Sequence, residues 1–181
     1  MTYELIEIFE EKSSELYSLA FLLTGNTDRG VEAFNRALDF DEPENPVFGE
    51  FMNSWAHKLV IVEALGTIKA ELRASRQRVA RAMEDEMPRD QTWKPRPRIA
   101  RQEFEDAVIA IDAFPRCAML LTIFEGMSIP AASILLNADE TLTLAAQRIG
   151  IVQLTQNLAG NRGRDPFPES GRNPVPILSL G

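Results

Sequence analysis

The stretch FPRCAMLLTIFEGMSIPAASILLNADETLTLAAQRIGIVQLTQNL, which spans residues 114–158, decides the fold of this chain. Its first, apolar part ends at Glu125-Gly126, where a glycine can take the left-handed conformation that closes a helix. Ser128 follows at an N-cap position, and Pro130 stands in the first turn, where its missing N–H is not needed. These signals predict a short second helix over Ile129–Leu136.

A third helix is predicted to begin near Glu140, after Asn137-Ala138-Asp139, and to run past Leu154. Two helices joined by a tight turn and backed by a buried helix form the helix-turn-helix layout. The order of turn signals and apolar runs therefore predicts a helix-turn-helix in the C-terminal part of the chain.

The residues before this stretch also show helical periodicity. Apolar side chains recur at steps of three and four residues within 5–23, 31–38, 47–79 and 102–113. Along the long segment 47–79 the apolar stripe includes Trp55 and Val62, and we expect both side chains to face the core. The periodicity therefore predicts an all-α protein.

The composition changes at Arg73. Residues 73–101 are rich in arginine and proline and poor in apolar side chains, which is typical of a helix end followed by a linker. Proline and glycine are again frequent after residue 160. We therefore predict two small helical bundles, 1–80 and 101–159, joined by an Arg/Pro-rich linker, 81–100, and followed by a flexible tail, 160–181.

The titratable residues restrict the function classes. The net charge is -8, which argues against a general affinity for nucleic acid. The chain has a single cysteine, Cys117, and a single histidine, His57, and no nucleophile–base set, phosphate loop or metal spacing. We expect no enzyme activity, no catalytic residue, no metal and no cofactor. No apolar run is long enough to span a bilayer, and we expect a cytoplasmic protein without membrane contact.

The C-terminal stretch resembles the promoter-reading domain of bacterial sigma factors of the extracytoplasmic-function type. Family members carry a Leu-Pro, an arginine soon after it, an apolar helix, a Glu-Gly, a helix-turn-helix and a long final helix. The matching residues are Phe114-Pro115, Arg116, 117–124, Glu125-Gly126, 128–136 and 141–158.

The N-terminal half resembles the first conserved domain of the same family. VEAFNRAL, residues 31–38, matches the helix that grips RNA polymerase in the family. The resemblance therefore implies polymerase contact by four residues of this helix. They are Val31, Phe34, Asn35 and Leu38. Family members usually carry Glu-Asp and then Gln on this helix, where this chain has Gly30, Val31 and Phe34.

Four arginines lie where the family meets the promoter: Arg73, Arg76, Arg78 and Arg81. They either contact phosphates or form a solvated helix end whose cations suit the helix dipole, and both interpretations stay open. On the candidate reading helix, Thr143, Gln147 and Arg148 are the residues able to reach bases. Leu142 and Leu144 stand where polar residues are expected, which favours a protein-facing surface.

Residues 102–159 contain two basic and seven acidic side chains, so little phosphate charge can be neutralised there. We therefore expect a sigma-factor-like protein of transcription initiation or its regulation, with weak or absent DNA reading by its C-terminal helix-turn-helix. Its expected partner is core RNA polymerase, a sigma factor or an anti-sigma factor, with promoter DNA as a weak contact. The alternative is a functional sigma factor that binds core polymerase and promoter DNA, and an unrelated helical protein is a third class.

Overall fold

The computed structural model describes residues 9–39, 52–85 and 99–160. Within these ranges the regular elements are helices and no strand is present, as the periodicity predicted. The helices are α1 (Ser13–Thr24), α2 (Thr27–Leu38), α3 (Met52–Thr67), α4 (Lys69–Asp85), α5 (Arg101–Ile109), α6 (Ala113–Met119), α7 (Ile129–Leu136) and α8 (Glu140–Gly160). A π-helical turn, Leu120–Phe124, continues α6. Most of the predicted linker and the tail after residue 160 lie outside the described residues.

The long helix predicted over 47–79 is interrupted at Ile68, where α3 gives way to α4. The predicted apolar stripe is buried in part: Leu59, Leu65, Ile68 and Leu72 are all less than 9% exposed. Trp55 and Val62 were expected in the core and instead are 37% and 51% exposed. The core face of α3 is formed by Ala56, Val60 and Ala64, which are all 0% exposed, so Trp55 and Val62 stand at the edge of that face. α4 then continues to Asp85, five residues into the predicted linker.

The turn signals of the C-terminal stretch act as expected. Gly126, two residues after the end of the π-helical turn, has a φ of +64°, in the left-handed region that favours glycine. The Ser128 hydroxyl accepts a hydrogen bond from the Ala131 N–H, at 3.4 Å, and so caps α7. Asn137 ends α7 with a φ of 49°. The backbone therefore has the predicted helix over Ile129–Leu136 and the predicted start of the last helix at Glu140.

The helix predicted over 102–113 is shorter than its apolar pattern. α5 ends at Ile109, and Asp112 begins α6 by accepting a hydrogen bond from the Ala113 N–H at 3.0 Å. The backbone therefore turns at residues 110–112. Ile111 of this turn and Phe114 of α6 both enter the core and are no more than 2% exposed.

α6 and α8 form a very close contact. A Cβ atom at Gly150 would stand 2.6 Å from the carbonyl oxygen of Pro115 and 3.0 Å from the Cβ of Met119. Real Cβ atoms do not approach a backbone oxygen so closely, so only glycine permits this crossing of the two helices. Residues 113–121 are all buried, and α6 is thus the central helix of the C-terminal half.

Both halves of the chain contribute to one hydrophobic core. The buried cluster contains Leu16, Leu23 and Ile68 from the N-terminal half together with Phe114 and Leu121 from the C-terminal half. α4 packs against α6 and α8, and α1 packs against α6. The predicted division into two separate bundles is therefore not confirmed, because the apolar faces of the two halves cover each other.

A separate property of the helices concerns membranes. Among the helices in the described ranges, none combines the length and the apolar character that a membrane span requires.

Candidate functional site

The four arginines of α4 differ in what they contact. Arg78 makes two hydrogen bonds to the carboxylate of Asp112, from Nε at 2.9 Å and from Nη2 at 2.7 Å. Arg76 is half-buried and donates from Nη1 to the carbonyl oxygen of Asn137. Arg73 and Arg81 are exposed. Two of the four predicted phosphate ligands are therefore engaged in contacts between α4 and the C-terminal half.

The ion pair of Arg78 also changes the titration of its partner. Burial of Asp112 raises the pKa of its carboxyl group. Hydrogen bonds from Arg78, from Ser75 and from the Ala113 N–H act in the opposite sense and together outweigh burial. The pKa of Asp112 is therefore lower than its ordinary value, because three donors stabilise the ionised form.

The predicted base-contacting residues of α8 do not form one polar surface. Thr143 is fully buried, and its hydroxyl donates to the Asp139 carbonyl oxygen at 2.9 Å, so the prediction that it reaches bases is wrong. Gln147 is half-buried and donates from Nε2 to the Thr122 hydroxyl at 2.9 Å. Arg148 is exposed. Helical geometry explains Thr143, because it stands three and seven residues before Ala146 and Gly150 and thus on the buried side of α8.

The cation Arg116 is in the interior and is 3% exposed. It donates from Nη1 to the carbonyl oxygens of Ile109 at 3.1 Å and Ile111 at 2.9 Å, and from Nη2 to that of Leu23 at 3.4 Å. These contacts join the end of α1 to the connection between α5 and α6. Its charge is therefore not available on the surface of the C-terminal half.

Several large apolar side chains of the C-terminal half are exposed. Leu144 and Ile151 of α8 are 37% and 41% exposed, and Ile123 of the π-helical turn is 51% exposed. We call these three residues the apolar face. Leu144 and Ile151 stand seven residues apart and thus on one side of α8, and the Gln147–Thr122 hydrogen bond joins that helix to the turn that carries Ile123. Leu142, predicted as exposed, is instead half-buried against the core.

The four residues assigned to polymerase contact lie on two sides of α2. Val31 is 42% exposed and Asn35 is also exposed. Phe34 and Leu38 are half-buried and pack against the core. The Phe34 ring makes edge contacts with Phe9, at a centroid distance of 5.7 Å, and with Tyr17 at 6.5 Å. Val31 and Asn35 are therefore the members of this set that face outward.

His57 has acidic neighbours that its position in the sequence does not indicate. Its Nδ1 lies 3.0 Å from Oε2 of Glu125, and its Nε2 lies 3.7 Å from Oε1 of Glu15. The three residues come from α3, from the turn before α7 and from α1. This cluster joins the two halves of the chain.

A groove lies between α3, α4 and α7, with a volume of about 430 Å³. Its apolar walls include Val62, Leu65, Leu72, Leu135 and Leu136. Its rim carries Lys69, Arg73 and Arg76. We call this site the basic groove. The sequence did not indicate it, because its two walls are about sixty residues apart in the chain.

Metal binding and thiol chemistry find no support in the part of the chain that the structure describes. No group of three or more His, Cys, Asp or Glu residues there could hold a metal ion. Cys117 is fully buried, and burial raises the pKa of its thiol from 9.0 to about 12. A thiol with such a pKa stays protonated at neutral pH and is a poor nucleophile.

Compared with known protein families, with curated proteins and with solved structures, the chain matches none of them.

Proposed function

We propose that this chain is a sigma-factor-like protein of bacterial transcription initiation or its regulation, and that it acts through protein–protein contacts. Its partner in this proposal is core RNA polymerase, a sigma factor or an anti-sigma factor. The helix-turn-helix formed by α7 and α8 reads promoter DNA weakly or not at all. The resemblance of both halves to the sigma-factor domains supports the setting, and the surface of the C-terminal half supports the mode of action.

The observation that carries this proposal is the shortage of free cations on the C-terminal half. Across residues 99–160, Arg101 is paired with Glu105 at 2.6 Å and Arg116 is buried, which leaves Arg148 as the exposed cation without an ion pair. Affinity for DNA comes mainly from cations that replace condensed counterions on the phosphates. A surface with one such cation lacks the sequence-independent attraction on which base reading depends.

The apolar face supports a protein partner in place of DNA. Leu144 and Ile151 are exposed on the outer side of α8. In a groove of duplex DNA these side chains could not form hydrogen bonds to the base edges. Aliphatic side chains of this kind are instead common in the core of protein interfaces. Ile123 extends the face onto the neighbouring turn, which gives a partner a surface formed by two elements.

A binding experiment with core RNA polymerase tests this proposal. Purified core polymerase is titrated into fluorescently labelled full-length chain, and the double variant Leu144→Gln/Ile151→Gln is compared with the unchanged protein. We expect binding without DNA and a loss of about tenfold or more in the double variant, because two interface anchors typically contribute about 1 kcal/mol or more each. Arg148→Gln, on the same side of α8, is the matched control and should bind normally.

The same titration is repeated with a sigma factor and an anti-sigma factor in place of polymerase. Absence of binding to all three proteins would contradict the proposal. Equal binding by the double variant and the unchanged chain would show that the apolar face is not the interface.

The alternative of a functional sigma factor has its own supporting observation. Arg73 and Arg81 are exposed on α4, the helix that the resemblance places at the promoter. In this case core polymerase and the chain together should select promoter-like duplex DNA. Replacing Arg73, Arg76, Arg78 and Arg81 by Gln should then weaken binding at low salt and flatten its dependence on salt concentration. An unchanged salt slope would show that these arginines do not contact DNA.

A further inference from the structure

The basic groove combines an apolar interior with a row of cations along one edge. Leu65, Leu72 and Leu136 are between 3% and 8% exposed and form its floor, while Val62 is 51% exposed at its side. Lys69, Arg73 and Arg76 follow at steps of four and three residues, which places them on one side of α4. The groove therefore offers an apolar surface and a concentrated positive charge to the same occupant.

The cations of this edge lack acidic partners. In the described ranges, neither Lys69 nor Arg73 makes an ion pair, and no residue that lines the groove is acidic. Arginines elsewhere in the region are paired, because Arg29 contacts Glu71 at 2.5 Å and Arg78 contacts Asp112. Lys69 and Arg73 stand one helical turn apart without a carboxylate partner and repel each other, and an anion in the groove would relieve this repulsion.

The size of the groove selects the kind of occupant. A volume of about 430 Å³ falls within the usual range of small-molecule sites, which is roughly 300–1,000 Å³. One turn of an α-helix with its side chains fills roughly 400 Å³, so the groove would hold a single turn of a partner helix. An acidic amphipathic helix would therefore leave most of its length outside, whereas a small molecule can lie along the groove with most of its length in contact with the walls.

From this geometry we propose that the basic groove binds an amphipathic anion of the fatty-acid type. The carboxylate lies against Lys69 and Arg73, and the aliphatic chain lies over Leu65 and Leu136. Arg76 holds the wall formed by α7, because its guanidinium group donates to the Asn137 carbonyl at the end of that helix. This binding site is independent of the proposed role in transcription and goes beyond it.

Ligand binding would stabilise the contact between the two halves of the chain. The cations of the rim, with Leu65 and Leu72 of the floor, come from α3 and α4, whereas Leu135 and Leu136 come from α7. A ligand that contacts both walls binds the folded state alone and raises the unfolding temperature by mass action. At a ligand concentration one hundred times the dissociation constant, we expect a rise of about 5–10 °C for a chain of this size.

The test uses dansyl-undecanoate, a fluorescent fatty acid analogue, as the probe and the full chain as the receptor. We expect saturable binding, displacement by decanoate, and at least tenfold weaker displacement by decanol and by decyltrimethylammonium. Arg73→Gln should weaken decanoate about tenfold and decanol little, because it removes the charge and keeps the apolar walls. Arg81→Gln, an exposed arginine of the same helix outside the groove, is its matched control.

A second variant fills the groove without disturbing the fold. A Cβ atom at Gly66 would meet nothing within 4 Å, so Gly66→Phe can place its ring in the groove. This variant should fold and lose probe binding, while Ala70→Phe, an exposed position outside the groove, should bind the probe normally. The proposal is overturned if the probe does not bind, if decanol competes as well as decanoate, or if folded Gly66→Phe binds unchanged.

Discussion

The buried guanidinium group of Arg116 provides a direct test of how the two halves are held together. The variant Arg116→Met keeps an unbranched side chain of similar length and removes the charge and the donors. In the unchanged chain this side chain is 3% exposed and hydrogen-bonds to three backbone carbonyls, which belong to Leu23, Ile109 and Ile111. The variant leaves all three carbonyl oxygens without this donor.

The expected loss of stability follows from these contacts. The bonds to Ile109 and Ile111, at 3.1 and 2.9 Å, are well formed, and the bond to Leu23 at 3.4 Å is weak. A hydrogen bond from a charged donor contributes about 1.5–3 kcal/mol, which gives about 3–6 kcal/mol for the two good bonds. Removal of the buried charge offsets part of this loss of stability, because the guanidinium group is desolvated and contacts carbonyls and no carboxylate. We expect a net loss of about 2–4 kcal/mol.

Urea unfolding followed by circular dichroism measures this change. We expect a lower midpoint with an unchanged slope, and a fall in Tm of about 4–16 °C, since a chain of this size loses about 2–4 °C per kcal/mol. Arg148→Met makes the same chemical change at an exposed site and should alter stability by less than about 0.5 kcal/mol. A loss below about 0.5 kcal/mol in Arg116→Met would refute the argument that this group joins α1 to the C-terminal half.

Two further predictions concern a charge and a close contact. Asp112→Asn keeps the cap of α6 and removes the ion pair with Arg78, so it should cost roughly 0.5–1 kcal/mol at neutral pH. The pKa of Asp112 is lowered in the folded state. The difference in unfolding free energy between the variant and the unchanged chain should therefore be fully present above the unfolded pKa of about 3.9, and it should vanish as pH falls through the lower folded-state pKa. A difference that stays constant down to acid pH in urea titrations would contradict this prediction. Gly150→Ala should destabilise by about 1–2 kcal/mol, because its Cβ meets a backbone oxygen at 2.6 Å. Gly66→Ala, with open space around its Cβ, should stabilise the folded chain by about 0.5–1 kcal/mol. Thermal unfolding of the two glycine variants should therefore show Tm shifts of opposite sign.

Local signals in the sequence predicted the local structure well. The signals around the turn act on the backbone within a few residues, and they are Glu125-Gly126, Ser128 and Pro130. The helix over Ile129–Leu136 accordingly has the predicted bounds. The same reasoning failed at residues 110–112, because the apolar pattern continues through the turn. Asp112 is the signal that could have found it, since an aspartate before a helix is a preferred N-cap.

Contacts between distant segments could not be predicted in the same way. Glu125 reaches His57 across sixty-eight positions, and the basic groove joins α4 to a helix from the other half of the chain. A count of charges also does not distinguish buried Arg116 from exposed Arg148, although the two differ in what they can contact. These features depend on how the helices pack against one another, and a single sequence has no pattern that reports this packing.

The central claim is that the C-terminal half does not read DNA, and binding of the full chain to duplex DNA tests it most directly. The full chain is needed because both halves share one core, so a fragment would expose the apolar side of α6. Labelled promoter-like and scrambled duplexes are titrated at low salt, where electrostatic attraction is strongest, and binding is followed by fluorescence anisotropy. We predict no binding, or weak binding that is equal for both duplexes. Selective binding of the promoter-like duplex at micromolar or tighter affinity would contradict the account.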